Sequence, residues 1–466
     1  MEFKPQEGIT DARQLGYGKF TILGIQHLFA MFGATILVPA LTGLPVSTTL
    51  LFAGLGTLVF HLLSKRTVPA FLGSSFAFIG GYMSVKQLGV EMGLSETLAL
   101  GYACMGVFCA GLCYFIMAAL IKWFGTHKVM RFFPPVVTGP MVIAIGLTLS
   151  GSAITNCTSN WLLAITAIVV VITSSVWGKG IIRIIPILLG VVSSYALAAC
   201  LGEVDFSSVS EAAWFGLPFS RETSVLAVFD NVDSALLLSS IIAIVPIAFA
   251  TIMEHIGDMC AISSTVGQDF LEKPGLHRTL MGDGLATALA SLFGAPANTT
   301  YGENTGVLNL TRVFDPAVIR LAACFSIALS FCPKFACLIG LMPAATIGGV
   351  SLILYGMISS VGVRNLVESH VDLASSRNVF VAALILVLAI GVKYGAGDSV
   401  AIGSINLSGL AIAAIVGVTL NAILPEKLGM KIKSYNGKEK HCQERRINEF
   451  FSSRKIRGRM FEEHTE

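Results

Sequence analysis

Apolar stretches long enough to cross a lipid bilayer recur from about Phe20 to Leu424, and this recurrence constrains the fold more than any motif. A helix of roughly 20 apolar residues crosses a hydrocarbon layer about 30 Å thick. Only 13% of the residues are charged and 54% are hydrophobic, whereas an ordinary soluble domain is about 25% charged. A soluble surface cannot be built from so few charges, so most of the chain must face lipid or other apolar helices. Hydropathy and Gly/Pro punctuation together give fourteen segments, with cores at 20–42, 48–63, 70–85, 97–121, 134–151, 161–177, 181–201, 236–262, 280–293, 299–311, 315–333, 343–361, 376–393 and 405–424. The third, ninth and tenth are short or rich in Gly and polar residues. The predicted class is an all-α polytopic membrane protein.

The basic residues are unevenly placed. If residues 1–19 are cytoplasmic, loops after even-numbered segments share that side, and they hold Lys65, Arg66, Lys122, Arg278, Arg364 and several more. The opposite loops hold only Lys86, Arg221, Lys334 and Lys393. This positive-inside bias puts both termini in the cytoplasm. The basic tail, 425–466, reads as a cytoplasmic extension beside anionic lipid. No folded module accompanies its charges, so no nucleic-acid partner is expected. The ten cysteines are scattered without a CxxC pair, which favours packing roles over disulfides or a metal site. The polar start, Met1-Glu2-Phe3-Lys4, is not that of a cleavable signal peptide.

The longest stretch without an apolar span, Gly202 to about Asp233, falls after the seventh segment. Seven segments on each side, with both termini inside, give halves of opposite orientation, as in inverted-repeat transporters. Such folds place substrate where a helix in each half is interrupted. Val68-Pro69-Ala70-Phe71-Leu72-Gly73-Ser74-Ser75-Phe76 interrupts the third segment, and Ala295-Pro296-Ala297-Asn298-Thr299-Thr300-Tyr301-Gly302-Glu303-Asn304 opens the tenth. Non-helical backbone at membrane depth is tolerated only where it lines a cavity or is buried in protein. Gly and Ser also serve close helix packing, but interruptions at the same ordinal place in both halves favour a binding site.

Ionisable residues inside spans are costly and default to function. Glu254 and Asp258 lie four apart in the eighth segment and share a helix face. Two like charges repel there, which suits a group that takes up a proton on one side and releases it on the other. A helix-end polar pair is the plainer reading, and it fits Asp258 better than Glu254. Glu303 follows Gly302 in the broken tenth segment, where it could also cap the next helix. His27 and His255 read as hydrogen-bonded structural residues, and His255 sits off the Glu254–Asp258 face. Phe76 and Tyr301 would flank a cavity between the interruptions, able to stack on a flat heterocycle whose carbonyls meet freed N–H groups.

Four motifs in order resemble the nucleobase–cation symporters, which include bacterial uracil permeases and, more distantly, xanthine, urate and ascorbate carriers. They are Gln26 to Thr35 (QHLFAMFGAT), Gly73 to Phe78 (GSSFAF), Glu254 to Gly257 (EHIG) and Asn298 to Arg312 (NTTYGENTGVLNLTR), the last containing the signature E-N-x-G-x4-T-R. The resemblance runs from Gln26 to the fourteenth segment. It implies fourteen spans in a 7+7 inverted repeat, with short antiparallel strands in segments three and ten. A core would comprise 20–133 and 236–333, and a gate 134–201 and 334–424, joined by an extracytoplasmic connection at 202–235. It further implies uracil import with a proton across a bacterial cytoplasmic membrane, without a cofactor, by a possible homodimer. Glu254 and Glu303 would accept from the ring N–H groups, and the backbone N–H groups of Phe76 and Gly302 would face the carbonyls. Ser75 and Tyr301 would line the pocket, Glu254 with Asp258 would couple the proton, and His27 would bond Asn304.

One position departs from that pattern. Asp258 stands where uracil permeases of the family carry histidine and is similar to the purine-type carriers, whereas Tyr301-Gly302-Glu303-Asn304 is uracil-like. A xanthine or guanine permease is therefore the nearest alternative. An anion exchanger of the same architecture is another, although three carboxylates would repel an anion. No HExxH or GxSxG motif points to an enzyme.

Overall fold

The computed structural model describes residues 8–125, 128, 134–230, 232–397, 399–402 and 405–425. The unit described below ends at Asn421. The basic tail from Lys427 to Arg459 lies outside the described residues, as does Arg131.

Among the described residues seven helices are long and apolar enough to cross a membrane alone: Tyr17–Thr42, Val46–Leu63, Glu96–Phe124, Pro135–Thr158, Ser234–Val266, Ala344–Glu368 and Ser376–Gly395. They are spans 1, 2, 4, 5, 8, 12 and 13. Spans 6, 7 and 14 are the shorter apolar helices Trp161–Trp177, Pro186–Cys200 and Gly409–Ile423, and span 9 is Leu276–Leu292. Span 11, Pro316–Ser330, ends before residue 333, and a separate short helix, Pro333–Gly340, follows at an angle of 85°. Spans 3 and 10 are not continuous helices. Each begins as a three-residue strand, Leu72–Ser74 or Asn298–Thr300, and then becomes helical as Ile79–Glu91 or Gly302–Thr311.

Local chemistry sets the helix ends. Side chains of Ser95, Asn160, Asp233 and Asp315 accept from the first backbone N–H groups of spans 4, 6, 8 and 11. Proline opens spans 5, 7 and 11 at the position where a missing N–H costs nothing. The stretch 202–233, expected as a plain connection, contains the short helix Ser207–Glu211 and a 3-10 turn at Val225–Asp230. A two-stranded hairpin, Ser399–Ile402 with Ile405–Ser408, precedes span 14.

Helix packing shows the inverted repeat directly. Span 2 packs on 11 and span 9 on 4, span 1 on 11 and span 8 on 4, span 1 on 10 and span 8 on 3. Likewise span 5 packs on 13 and span 12 on 6. Each pair becomes the other when spans 1–7 are exchanged with 8–14. In these contacts spans 1–4 pair with spans 8–11, and spans 5–7 with spans 12–14; the two sets are referred to below as the core and gate bundles. Small residues allow the closest approaches. A Cβ on Gly139 of span 5 would lie 3.1 Å from the Gly362 carbonyl oxygen of span 12, and one on Gly362 would lie 2.6 Å from that of Gly139.

Candidate functional site

The two broken spans meet inside the core bundle. Pro69 and Pro296 lack the N–H that would continue a helix, and Thr299-Thr300 are β-branched residues that favour extended backbone. The strands pair antiparallel, with Leu72 opposite Thr300, Gly73 opposite Thr299 and Ser74 opposite Asn298. Two further bonds extend the ladder: Ser75 N–H donates to the Ala297 carbonyl at 2.8 Å, and Tyr301 N–H donates to that of Phe71 at 3.0 Å. Neighbouring spans satisfy what remains. Leu72 N–H donates to Thr57 Oγ1 at 2.9 Å, Thr287 Oγ1 donates to the Asn298 carbonyl at 2.9 Å, and Asn298 Nδ2 donates to that of Phe52 at 3.0 Å. This is the internal satisfaction that non-helical backbone needs at such depth.

Immediately past the ladder each chain turns helical. Phe76 opens a 3-10 turn that leads into span 3, and Gly302 opens the helix of span 10. The first N–H groups of a helix have no partner within it and carry its partial positive charge. Neither residue preceding these starts, Ser75 or Tyr301, caps with its side chain. Two helix starts, neither capped by the residue before it, are therefore brought to the two ends of one small sheet.

The carboxylates gather beside the span 10 start. Asp258 Oδ2 accepts from Thr300 Oγ1 at 2.7 Å, which ties span 8 to the second strand. Glu254, Asp258 and Glu303 are near enough to act on one another electrostatically. No ion pair among the described residues neutralises any of them. Gly257 and Gly302 are exposed although their surroundings are largely buried. A Cβ on Gly257 would meet nothing within 4 Å, and one on Gly302 would meet only Asp258 Oδ1 at 4.0 Å. Open space thus adjoins the Asp258 carboxylate and the Gly302 backbone.

The other expected site residues take distinct positions. Asn304 Nδ2 lies 3.1 Å from His27 Nδ1 and donates to the His27 carbonyl at 3.0 Å, joining spans 10 and 1. Tyr301 is buried: its ring lies over Gly73, and its hydroxyl donates to the Ser74 carbonyl at 2.8 Å. Phe76 is half-buried and packs against two apolar clusters, one built from spans 1, 2, 6, 7 and 12 and the other around Phe71 and Tyr301. Ser75 is fully buried, and its hydroxyl has no hydrogen-bond partner among the described residues.

Asp283 of span 9 is not among the residues expected from the sequence. Its Oδ2 stands 3.1 Å from His255 Nδ1, and both side chains are wholly buried. A carboxylate within an expected span was the available signal, and the contact sets His255 of span 8 against span 9. Thr300 and Thr57 were equally unmarked, because nothing in an isolated hydroxyl residue announces its partner.

Comparisons with known proteins agree with this architecture. The profile of a permease family matches residues 18–397. The uracil permease of Bacillus subtilis (strain 168) is 41% identical over 415 residues, covering 86% of this chain and 92% of the relative. That of Escherichia coli (strain K12) is 39% identical over 412 residues, covering 86% and 90%. Among solved structures, the transmembrane domain of the cyanobacterial bicarbonate transporter BicA superposes with a TM-score of 0.57 at 15% identity, covering 89% of this chain and 99% of that one. SLC26A9 superposes with a TM-score of 0.62 at 11% identity, covering 88% of this chain and 65% of that one. These two structures share the 7+7 inverted-repeat fold and, at such identity, speak for the fold alone. The chain is a multi-pass membrane permease, and it belongs to the nucleobase/ascorbate permease family.

Proposed function

We propose that this protein imports uracil by symport with a proton. The observation that carries the reading is the convergence of two helix starts and three un-neutralised carboxylates at one paired break. A cyclic imide such as uracil offers two carbonyls and two ring N–H groups at its edge. Backbone N–H groups of Phe76 and Gly302 suit the carbonyls, and Glu254 and Glu303 suit the N–H groups. Similarity to carriers named uracil permeases supports the same substrate. Three carboxylates in low dielectric repel one another, so loading a proton onto Glu254, with Asp258 beside it, stabilises the occupied site. The core bundle then moves against the gate bundle and releases both inward. The basic bias of one end places the termini in the cytoplasm, and dimerisation is part of the same proposal.

A second reading follows from Asp258, which stands at the open space where the family's uracil permeases carry histidine and is similar to its purine-type carriers. Radiolabelled uracil uptake into proteoliposomes with an imposed pH gradient, with excess unlabelled xanthine, separates the two. Gradient-driven uptake that ignores xanthine is the expected result. Gradient-driven xanthine uptake without uracil uptake would make the protein a purine permease.

A further inference from the structure

A second cavity, of about 150 Å³, is lined from the ends of spans 2 and 4 and the start of span 9, the ends that carry Lys65, Arg66 and Lys122. Its lining is Leu63 from span 2, Lys122 from span 4, and His277, Arg278 and Met281 from span 9. It has room for several molecules the size of water, at about 30 Å³ each, and so for a phosphate group. We propose that this cavity holds the phosphate of an anionic phospholipid.

The charge is one-sided. Arg278, Lys122 and Lys65 all lie close enough to act on His277 electrostatically. Among the described residues no carboxylate pairs with any of these four. Mutual repulsion among such groups is relieved by an anion. The local backbone is arranged for the cluster. Gly275 has a φ of 101°, and a Cβ there would lie 2.8 Å from the His277 ring, so only glycine lets the ring fold back over the start of span 9. Lys65 and Arg66 hold φ values of 57° and 59° in the turn after span 2. Two consecutive long basic residues occupy a conformation that glycine would adopt more easily, which marks a position kept for its side chains.

The cavity's surroundings favour lipid over free phosphate. Trp123 and Phe124, which follow Lys122, are 76% and 57% exposed, and Leu62 is 65% exposed. Exposed aromatic and aliphatic side chains beside basic ones mark the headgroup level of a bilayer. Leu63 and Met281 give the cavity an apolar wall for the glycerol and upper acyl chain, while Lys122, His277 and Arg278 meet the phosphate. Basic pockets between spans are a known means of holding anionic headgroups.

Native mass spectrometry of the full chain in detergent, with phosphatidylglycerol or phosphatidylcholine added, tests this. The Lys122→Gln/Arg278→Gln variant should retain phosphatidylglycerol roughly 30-fold more weakly. Exposed Lys122→Gln alone, which leaves packing intact, should show a smaller loss in the same direction. A control variant, Lys179→Gln/Arg364→Gln, should bind like the parent. Equal loss in the control, or equal retention of phosphatidylcholine, would overturn the site. Displacement of phosphatidylglycerol by millimolar inorganic phosphate would overturn the lipid assignment.

Discussion

Spans 3 and 10 are built alike and are not alike. Both enter through a proline and a three-residue strand, and both turn helical one or two residues later. The helix start of span 3 reads Phe76-Ala77-Phe78, apolar throughout, whereas that of span 10 reads Gly302-Glu303-Asn304. Side chains fasten both: in span 3 Ser74 Oγ donates to the Thr35 carbonyl and the Tyr82 hydroxyl accepts from Ala297 N–H, whereas span 10 is tied through Thr300 to the ionisable Asp258, through Asn304 to His27 and through Tyr301 to Ser74. At its helix start span 3 presents only apolar side chains, and span 10 presents an ionisable one. A pseudo-twofold fold thus carries an asymmetric site, as an asymmetric ring would require.

The sharpest way to break this contrast is to neutralise one span and trim the other. Glu303→Gln should lower uracil uptake on the order of 10- to 100-fold, the worth of a charge-assisted hydrogen bond. Glu254→Gln should match it, with loss of uphill accumulation. Phe76→Leu keeps the backbone N–H and an apolar wall, so uptake should fall by no more than about threefold. Initial rates and accumulation ratios in proteoliposomes measure both. Equal damage from Phe76→Leu would mean that span 3 contributes a side chain and not only a backbone.

Two glycines sharpen the comparison next. A Cβ on Gly73 would lie 2.5 Å from the Tyr301 ring and 2.7 Å from Thr35 Oγ1, inside a packed layer. Gly73→Ala should therefore lower stability by about 1–3 kcal/mol, read as a lower melting temperature in detergent. Gly302→Ala meets nothing closer than 4.0 Å, so it should leave melting nearly unchanged and reduce uptake by narrowing the open space. The reverse pattern would exchange the roles given to the two spans.

Most of the fold was legible because membranes leave few choices. A span must be apolar, about 20 residues long and internally bonded, and thirteen charged residues per hundred leave little else to build from. The interruptions were legible as Pro, Gly and hydroxyl clusters at matching ordinal places. What stayed hidden depends on which spans touch. Asp283 looked like one polar residue in a short, Gly-rich segment, and only the packing of span 9 on span 8 sets it against His255. Tyr301 read as a cavity aromatic because its neighbours are polar. The absence of a Cβ on Gly73 draws its ring into the packed layer, and its hydroxyl finds a strand carbonyl. The 85° turn after Ser330 was invisible, since Pro333 is as compatible with a new helix as with the end of one.

The link between the two spans can be weakened without changing volume. Thr300→Val removes the donor to Asp258 and should cost about 1 kcal/mol of stability. In an Asp258→Asn background the same change should cost measurably less, since the partner is already altered. Additive losses would show that the 2.7 Å contact does not couple spans 8 and 10.

The smallest effect is the most selective. Ser75 sits at the end of the span 3 strand with a buried hydroxyl that no described residue bonds. Removing an unsatisfied buried polar group relieves a desolvation penalty instead of adding one. Ser75→Ala should accordingly leave the melting temperature unchanged or slightly raised. If the hydroxyl meets substrate, KM for uracil should rise a few-fold, about the worth of one neutral hydrogen bond, with the maximal rate preserved. A lower melting temperature would reveal an internal partner, and an unchanged KM would confine recognition on this side to the span 3 backbone. In that case the division of labour between the spans would be complete, with every discriminating side chain supplied by spans 8 and 10.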